Sequence, residues 1–121
     1  MSDFYRREFR YFYVAYIIIF INLFIFLLMT LAGGSTNANV LIFFGAKVNP
    51  LIDLGQYWRL LTANFIHIGF THLLFNTYAL FVLGKYSESI FGHAKLVFMY
   101  LFCGLTGSTL SYLLSPSLSA G

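Results

Sequence analysis

The sequence predicts an all-α membrane protein with three transmembrane helices and a long interfacial loop on the outer side. Of its 121 residues, 60% are hydrophobic and only 9% are charged, whereas an average soluble domain is about 25% charged. A soluble chain this short buries only part of its surface, so it cannot hide so many apolar side chains. Three apolar runs, 11–32, 61–84 and 94–114, are each long enough to cross a bilayer core of about 30 Å.

Five of the seven lysines and arginines precede the first apolar run or flank the gap between the second and third runs. They are Arg6, Arg7, Arg10, Lys85 and Lys95. The positive-inside rule therefore places the short polar head, residues 1–10, and the loop between the second and third runs, residues 85–93, in the cytoplasm. No basic face is sustained along the chain, so no nucleic-acid partner is predicted.

The first apolar run, 11–32, is interpreted as a retained membrane span. A secretory signal peptide has a shorter apolar region followed by a small-residue cleavage site. The sequence Gly33-Gly34-Ser35 provides only a weak site of that kind. Asn22 is the one strongly polar group in this span, and we expect it to bond to a neighbouring helix.

The first loop, residues 33–60, is predicted to be ordered and to lie in the outer membrane interface. Its glycines break the helix, and its apolar stretch, 40–44, is too short to span. A connector of this length is usually functional or disordered, and its aromatic content argues against disorder. Tyr57 and Trp58 are expected at headgroup depth.

The second and third spans are predicted to be antiparallel neighbours, because the loop that joins them, 85–93, is short. Small residues on the third span form a face that lets helices approach closely; they are Gly104, Gly107 and Ser108. Ser115-Pro116 ends this helix, and residues 115–121 are predicted to be an outer loop. Cys103, the only cysteine, is interpreted as a small buried hydrophobic residue.

Polar residues concentrate at the start of the second span. His72 and Asn76 are four residues apart, about 40° around a helix, so they share one stripe about one turn apart. His67 is rotated about 140° from His72 and is expected on another face at the helix mouth. Polar side chains inside a span are costly and mark functional sites. A histidine above an asparagine is a plausible donor pair for an oxyanion.

Other interpretations of these residues stay open when each motif is taken alone. The two histidines are five apart with no carboxylate or cysteine nearby, which disfavours zinc, and an interhelix hydrogen-bond network is the other alternative. Taken alone, Arg59 beside Trp58 is typical of an arginine that snorkels to the membrane surface next to an interfacial aromatic residue. The sequence Gly84-x3-Glu88-x3-Gly92 reads as a helix C-cap followed by a solvated turn.

The ordered set of a long loop, Trp-Arg, His-x4-His-x3-Asn and Gly-x3-Glu-x3-Gly resembles the rhomboid family of intramembrane serine proteases. The residues that carry this resemblance are Trp58, Arg59, His67, His72, Asn76, Gly84, Glu88 and Gly92. The resemblance runs from about residue 49 to residue 121. It implies that residues 1–121 are the N-terminal part of a single rhomboid domain, with three helices of its six-helix bundle.

The resemblance also implies roles for single residues. His72 and Asn76 would line the oxyanion hole, and His67 would help to shape the mouth of the active site. The Trp-Arg pair would anchor the first loop, which is half-embedded in the membrane. Glu88 would support the fold at a helix junction and carry no chemistry.

The catalytic pair of the family is expected outside this chain. Rhomboid proteases attack with a serine in Gly-x-Ser-Gly at the start of the fourth span and use a histidine base in the sixth, because a hydroxyl is a weak nucleophile at neutral pH. The chain ends Ser117-Leu-Ser119-Ala-Gly121, about two residues before that serine. Ser119 lacks the flanking glycines, so the 121-residue chain alone is expected to be inactive.

The resemblance implies that the intact protein is an intramembrane serine endopeptidase that cleaves transmembrane segments and needs no cofactor or metal. Its expected partners are transmembrane protein substrates, the lipid bilayer and the C-terminal half of the same protein. The expected location is a bacterial cell membrane, with several spans and a cytoplasmic N-terminus. The alternative is a catalytically inactive rhomboid-like scaffold that binds membrane clients. A channel or transporter subunit is disfavoured, because it would need a polar stripe along a whole span.

Overall fold

The computed structural model describes residues 13–119. The predicted cytoplasmic head, 1–10, and the first two residues of the predicted first span lie outside these residues. Between residues 13 and 119 the chain is helical, and its one β-type pairing is a single antiparallel bridge between Lys47 and Ser119.

Seven α-helices follow one another in the described part of the chain. They are α1 (Tyr13–Ala32), α2 (Ala38–Phe44), α3 (Asn49–Asp53), α4 (Arg59–Thr62), α5 (Phe70–Ala79), α6 (Lys85–Phe91) and α7 (His93–Leu114). A 3-10 turn (Ala63–Phe65) follows α4, and a π-helical segment (Leu80–Gly84) joins α5 to α6.

The predicted all-α membrane fold is confirmed. The helices α1 and α7 are each long and apolar enough to cross a membrane. A third candidate span is a bent pair, formed by the helical stretches Arg59–Phe65 and Phe70–Phe91. The aliphatic and aromatic side chains that these helices leave exposed need an apolar solvent, which a bilayer provides.

The second candidate span departs from the straight helix expected over 61–84. Its two helical stretches meet at an angle of 86°. Ile66 is extended, with φ −109° and ψ 137°, and Gly69 has φ +82°, a left-handed conformation that glycine adopts without steric cost. The expectation that His67 and His72 share one helix is therefore wrong, because His67 lies in the non-helical break and the helix that carries His72 begins at Phe70.

The stretch 85–93, expected to be a loop, is helical as α6 (Lys85–Phe91). The helix continues beyond the apolar run because nothing interrupts it before Gly92, where φ is +89°. Lys85 lies over the Phe81 ring, with its Nζ atom 4.0 Å from the ring centroid. Polar composition alone made this segment look like a loop.

The Gly-x3-Glu-x3-Gly motif joins α6 to the start of α1. The Glu88 carboxylate accepts hydrogen bonds from the main-chain N–H groups of Val14, at 3.0 Å, and Ala15, at 3.1 Å. The first N–H groups of a helix have no partner within the helix, so Glu88 satisfies two of them. A Cβ atom at Gly84 would lie 3.4 Å from that of Ala15, so the glycine permits close packing. Glu88 is only 2% exposed, and the interpretation of this motif as a solvated turn is wrong.

The first loop is ordered, with α2 and α3 inside it. Arg59 is buried at its end: its Nη1 donates to the carbonyl oxygens of Ile42, at 2.7 Å, and Ala46, at 3.2 Å. Its Nε donates to the side chain of Gln56 at 2.7 Å. The guanidinium therefore holds the loop backbone, which excludes the snorkelling arginine that the Trp-Arg pair suggested when taken alone.

Hydrogen bonds tie α7 to both other candidate spans. The Asn22 side chain donates to the Tyr100 hydroxyl at 3.1 Å, so the predicted bond to a neighbouring helix is confirmed. The same hydroxyl donates to the Asn64 carbonyl at 3.1 Å. A Cβ atom at Gly104 would lie 2.1 Å from Cγ of Asn64, whereas one at Gly107 would meet nothing within 4 Å. The close approach expected of the small-residue face occurs at Gly104.

Candidate active site

A cavity of about 760 Å³ opens between the second candidate span and α7. One wall comes from α5 and the π-helical segment, and the other comes from α7. Among its lining residues are Asn64, His67, Asn76, Ser111 and Ser119. Two of the three polar residues that the sequence singled out, His67 and Asn76, thus line a space large enough for a peptide segment.

His67 lies in the break between the 3-10 turn and α5 and is 2% exposed. Its ring packs edge-on against the His72 ring, with 5.2 Å between centroids and 65° between the planes. Among the described residues, no hydrogen-bond partner lies near its Nδ1 atom. The break in the helix brings the two rings together, which the helical wheel did not predict.

Asn76 lies four residues after His72 on α5, and both side chains are half-buried. Asn76 lines the cavity, whereas His72 is next to it through its ring contact with His67. The amide of Asn76 offers two N–H donors, and an imidazole offers one or two. This end of the cavity therefore presents several hydrogen-bond donors to a bound group.

The rim of the cavity at the C-terminal end of α7 contains contacts that the sequence did not predict. Ser119 lines the cavity, and its Oγ lies 3.2 Å from that of Ser111. The backbone of Ser119 pairs with that of Lys47, with N–H to carbonyl distances of 2.8 and 3.1 Å. The sequence did contain one indication of this contact. Lys47 lies between Ala46 and Val48 in an apolar stretch, and a lysine in such a stretch requires a partner.

Cys103 also lines this cavity and is exposed. Its interpretation as a buried hydrophobic residue is wrong, because the α7 face that carries it points into the open space. Within residues 13–119, the side chains of histidine, cysteine, aspartate and glutamate do not form a group of three that could hold a metal ion.

Comparison with known proteins identifies the family. Residues 54–121 match the family model described as "Rhomboid domain". The chain belongs to the rhomboid family. The matched residues include His67, His72, Asn76 and the whole of α7, so they contain the entire lining of the cavity. No solved structure matches the chain.

Several curated relatives carry the same domain. The chain is 45% identical over 106 residues to "Rhomboid protease GluP" of Bacillus subtilis (strain 168), an alignment that covers 88% of this chain and 21% of that protein. It is 39% identical over 74 residues to "Rhomboid-like protease 1" of Toxoplasma gondii, covering 61% of this chain and 25% of the relative. It is 38% identical over 71 residues to "Rhomboid protease AarA" of Providencia stuartii, covering 59% and 25%.

The chain therefore spans between a fifth and a quarter of the length of these relatives. Family membership together with the apolar helices makes it part of an integral membrane protein. Its relatives are named as proteases, which places the chain in a family of intramembrane proteases.

Proposed function

We propose that the intact protein is an intramembrane serine endopeptidase that cleaves transmembrane segments of other membrane proteins. The observation that carries this proposal is the cavity between two candidate spans, with Asn76 in its wall and the packed pair of His67 and His72 beside it. Water-accessible polar groups at membrane depth are tolerated where they line such a cavity. The protease names of the relatives support the same reaction class.

In the proposed reaction a serine hydroxyl attacks a backbone carbonyl carbon while a histidine takes its proton. The new O–C bond gives a tetrahedral oxyanion, which collapses as the C–N bond breaks and the histidine returns the proton to the leaving amine. Water then hydrolyses the acyl-enzyme in the reverse sense. Under this proposal the nucleophilic serine and the base come from rhomboid segments outside the 121 residues. Among residues 13–119, the hydroxyl of Ser119 contacts that of Ser111.

The role of this chain is to supply the oxyanion-hole side of the site. Asn76 and His72 would donate N–H groups to the developing oxyanion, where a fixed donor acts without reorganisation. His67 would hold the His72 ring in place through their edge-on contact. The partners under this proposal are transmembrane protein substrates, the lipid bilayer and the C-terminal half of the same protein.

The proposal predicts large losses of turnover in the full-length protein when a donor is removed. Loss of one oxyanion-hole donor typically costs about 10²–10³ in rate, so we expect Asn76→Ala and His72→Ala to lower kcat by that factor with little change in KM. The assay is cleavage of a transmembrane substrate in liposomes, with kcat and KM measured separately.

A matched control is Tyr78→Phe, since Tyr78 lies on the same helix and is exposed. This variant should cleave at the wild-type rate. If Asn76→Ala and His72→Ala also cleave at the wild-type rate, the assignment of the oxyanion hole is wrong. Unchanged kcat with a raised KM would instead place these residues in ground-state substrate binding.

A further inference from the structure

Lys47 is a fully buried lysine in the first loop, between α2 and α3, with a relative exposure of 0%. Its Nζ donates to the carbonyl oxygens of Ser115, at 2.9 Å, and Ser111, at 3.2 Å, at the C-terminal end of α7. Burial lowers the pKa of its ammonium group, because a low dielectric disfavours the charged form. Because burying an ammonium group costs free energy, we expect Lys47 to have a structural role that offsets this cost.

Capping of α7 does not by itself explain why a lysine is buried at this position. The side chain of Asn49 already donates to the carbonyls of Tyr112, at 2.9 Å, and Ser115, at 3.2 Å. The Ser111 carbonyl also accepts the N–H of Ser115 within the helix end, at 2.9 Å. Each acceptor of Lys47 therefore has a second donor, so the carbonyls of Ser111 and Ser115 would keep a hydrogen bond without the lysine.

The backbone of Lys47 makes a second attachment, to the segment after α7. Its N–H donates to the Ser119 carbonyl at 2.8 Å, and its carbonyl accepts the Ser119 N–H at 3.1 Å. The Ser119 hydroxyl lies 3.2 Å from that of Ser111, whose own carbonyl is held by Lys47 Nζ. One residue thus holds both the end of the helix and the chain that leaves it.

We propose that Lys47 is a positioning residue, which fixes residues 115–119 at the rim of the cavity and so sets the course of the chain that follows Ser119. This proposal rests on the proposed function, in which the nucleophile comes from that following chain. Ser119 lines the same cavity as Asn76. A small displacement of this rim would therefore change the distance between the nucleophile and the oxyanion donors. Misplacement by about 1 Å can cost about 10²-fold in rate.

The test is Lys47→Met in the full-length protein, which keeps the length of the side chain and removes its donors. We expect kcat per folded molecule to fall about 10- to 100-fold with KM nearly unchanged. The main-chain bridge between Lys47 and Ser119 survives this substitution, but it loses the anchor that Nζ makes to the end of α7. Hydrogen exchange, measured by mass spectrometry on a peptide covering residues 115–119, should therefore show faster exchange of the Ser119 amide. This second readout does not depend on activity.

Two controls separate positioning from helix capping and from loss of charge. Asn49→Ala removes only the cap, so its stability should fall while kcat and Ser119 exchange stay at wild-type values. Lys95→Met removes an exposed lysine and should change nothing. If Lys47→Met matches Asn49→Ala in all three readouts, Lys47 is only a cap and the proposal is overturned.

Lys47→Gln keeps the test decisive if Lys47→Met does not fold, since its shorter side chain keeps a polar group at the buried position but does not reach both carbonyls that Nζ binds. It should lower kcat several-fold and speed Ser119 exchange, and wild-type values of both would overturn the proposal. If the wild-type protein cleaves no transmembrane substrate, the proposed function fails. The exchange measurement then still decides whether Lys47 holds Ser119.

Discussion

Replacing Glu88 tests the junction between α6 and α1. The carboxylate accepts the N–H groups of Val14 and Ala15 and also bonds Nδ1 of His93. Ala15 has 0% exposure and Val14 has 7%, so water cannot readily replace the lost acceptor. Glu88→Ala therefore leaves two main-chain donors buried without a partner.

The size of the effect follows from those two donors. An unsatisfied buried hydrogen-bonding group costs about 1–3 kcal/mol, so Glu88→Ala should lower the free energy of unfolding by about 2–6 kcal/mol. Glu88→Gln keeps one acceptor oxygen and presents an NH2 group to the other N–H, so its loss should be about half as large, about 1–3 kcal/mol.

The assay is equilibrium unfolding of the full-length protein in mixed micelles, followed by circular dichroism. Ser89→Ala is the control, because Ser89 is the exposed neighbour on the same helix and bonds only to the backbone of that helix; its effect should be within about 0.5 kcal/mol. A Glu88→Ala protein as stable as this control would refute the reasoning, since the two N–H groups would then have other partners.

Two further predictions concern stability. Gly104→Ala places a methyl group 2.1 Å from Asn64 Cγ and should lower the free energy of unfolding by about 1–3 kcal/mol, part of which Asn64→Ala should restore in the double variant. Gly107→Ala should be tolerated, and equal losses at the two glycines in unfolding assays would contradict this packing. Arg59→Lys loses the guanidinium group that bonds two loop carbonyls, so limited proteolysis and hydrogen exchange within residues 38–47 should both become faster. Unchanged protection there would show that other contacts hold the loop.

Much of the fold could be predicted because the thickness of the bilayer determines how long an apolar segment must be to cross it. Apolar runs of about 20 residues are required to cross it, and α1 and α7 follow that rule closely. That Asn22 bonds to another helix could also be predicted, because an amide within a membrane span needs a hydrogen-bond partner. Its partner, the Tyr100 hydroxyl, could not be named, since the rotation of each helix is set by packing against its neighbours.

The helix break at residues 66–69 could not be predicted from hydrophobicity. A glycine within an apolar run is compatible with a helix, and only the φ of +82° at Gly69 shows that this one ends it. The contact between His67 and His72 depends on that break, so helical periodicity gave the wrong relation between the two rings. The sequence therefore named two residues that line the cavity, His67 and Asn76, but not their spatial relation to His72.

Lys47 illustrates the same limit at long range. Its partners in the chain, Ser111, Ser115 and Ser119, are more than 60 residues away, and no local pattern links a lysine in the first loop to the end of α7. Glu88 and its partners Val14 and Ala15 are likewise separated by more than 70 residues. Such attachments join ends of helices that topology brings together, so a single sequence does not reveal them.

Under the proposed function, the 86° bend would set the depth at which a peptide bond is cut. The helical stretch from Phe70 to Phe91 is about 33 Å long, close to the thickness of the hydrocarbon core. If it lies along the membrane normal, the shorter stretch before the bend lies near the membrane plane. His72 and Asn76 then lie about 3 and 9 Å below the membrane boundary at the bend. The middle of the bilayer is about 6 Å deeper than Asn76. Under the proposed function, the bonds within reach are those in the shallow third of a substrate's span.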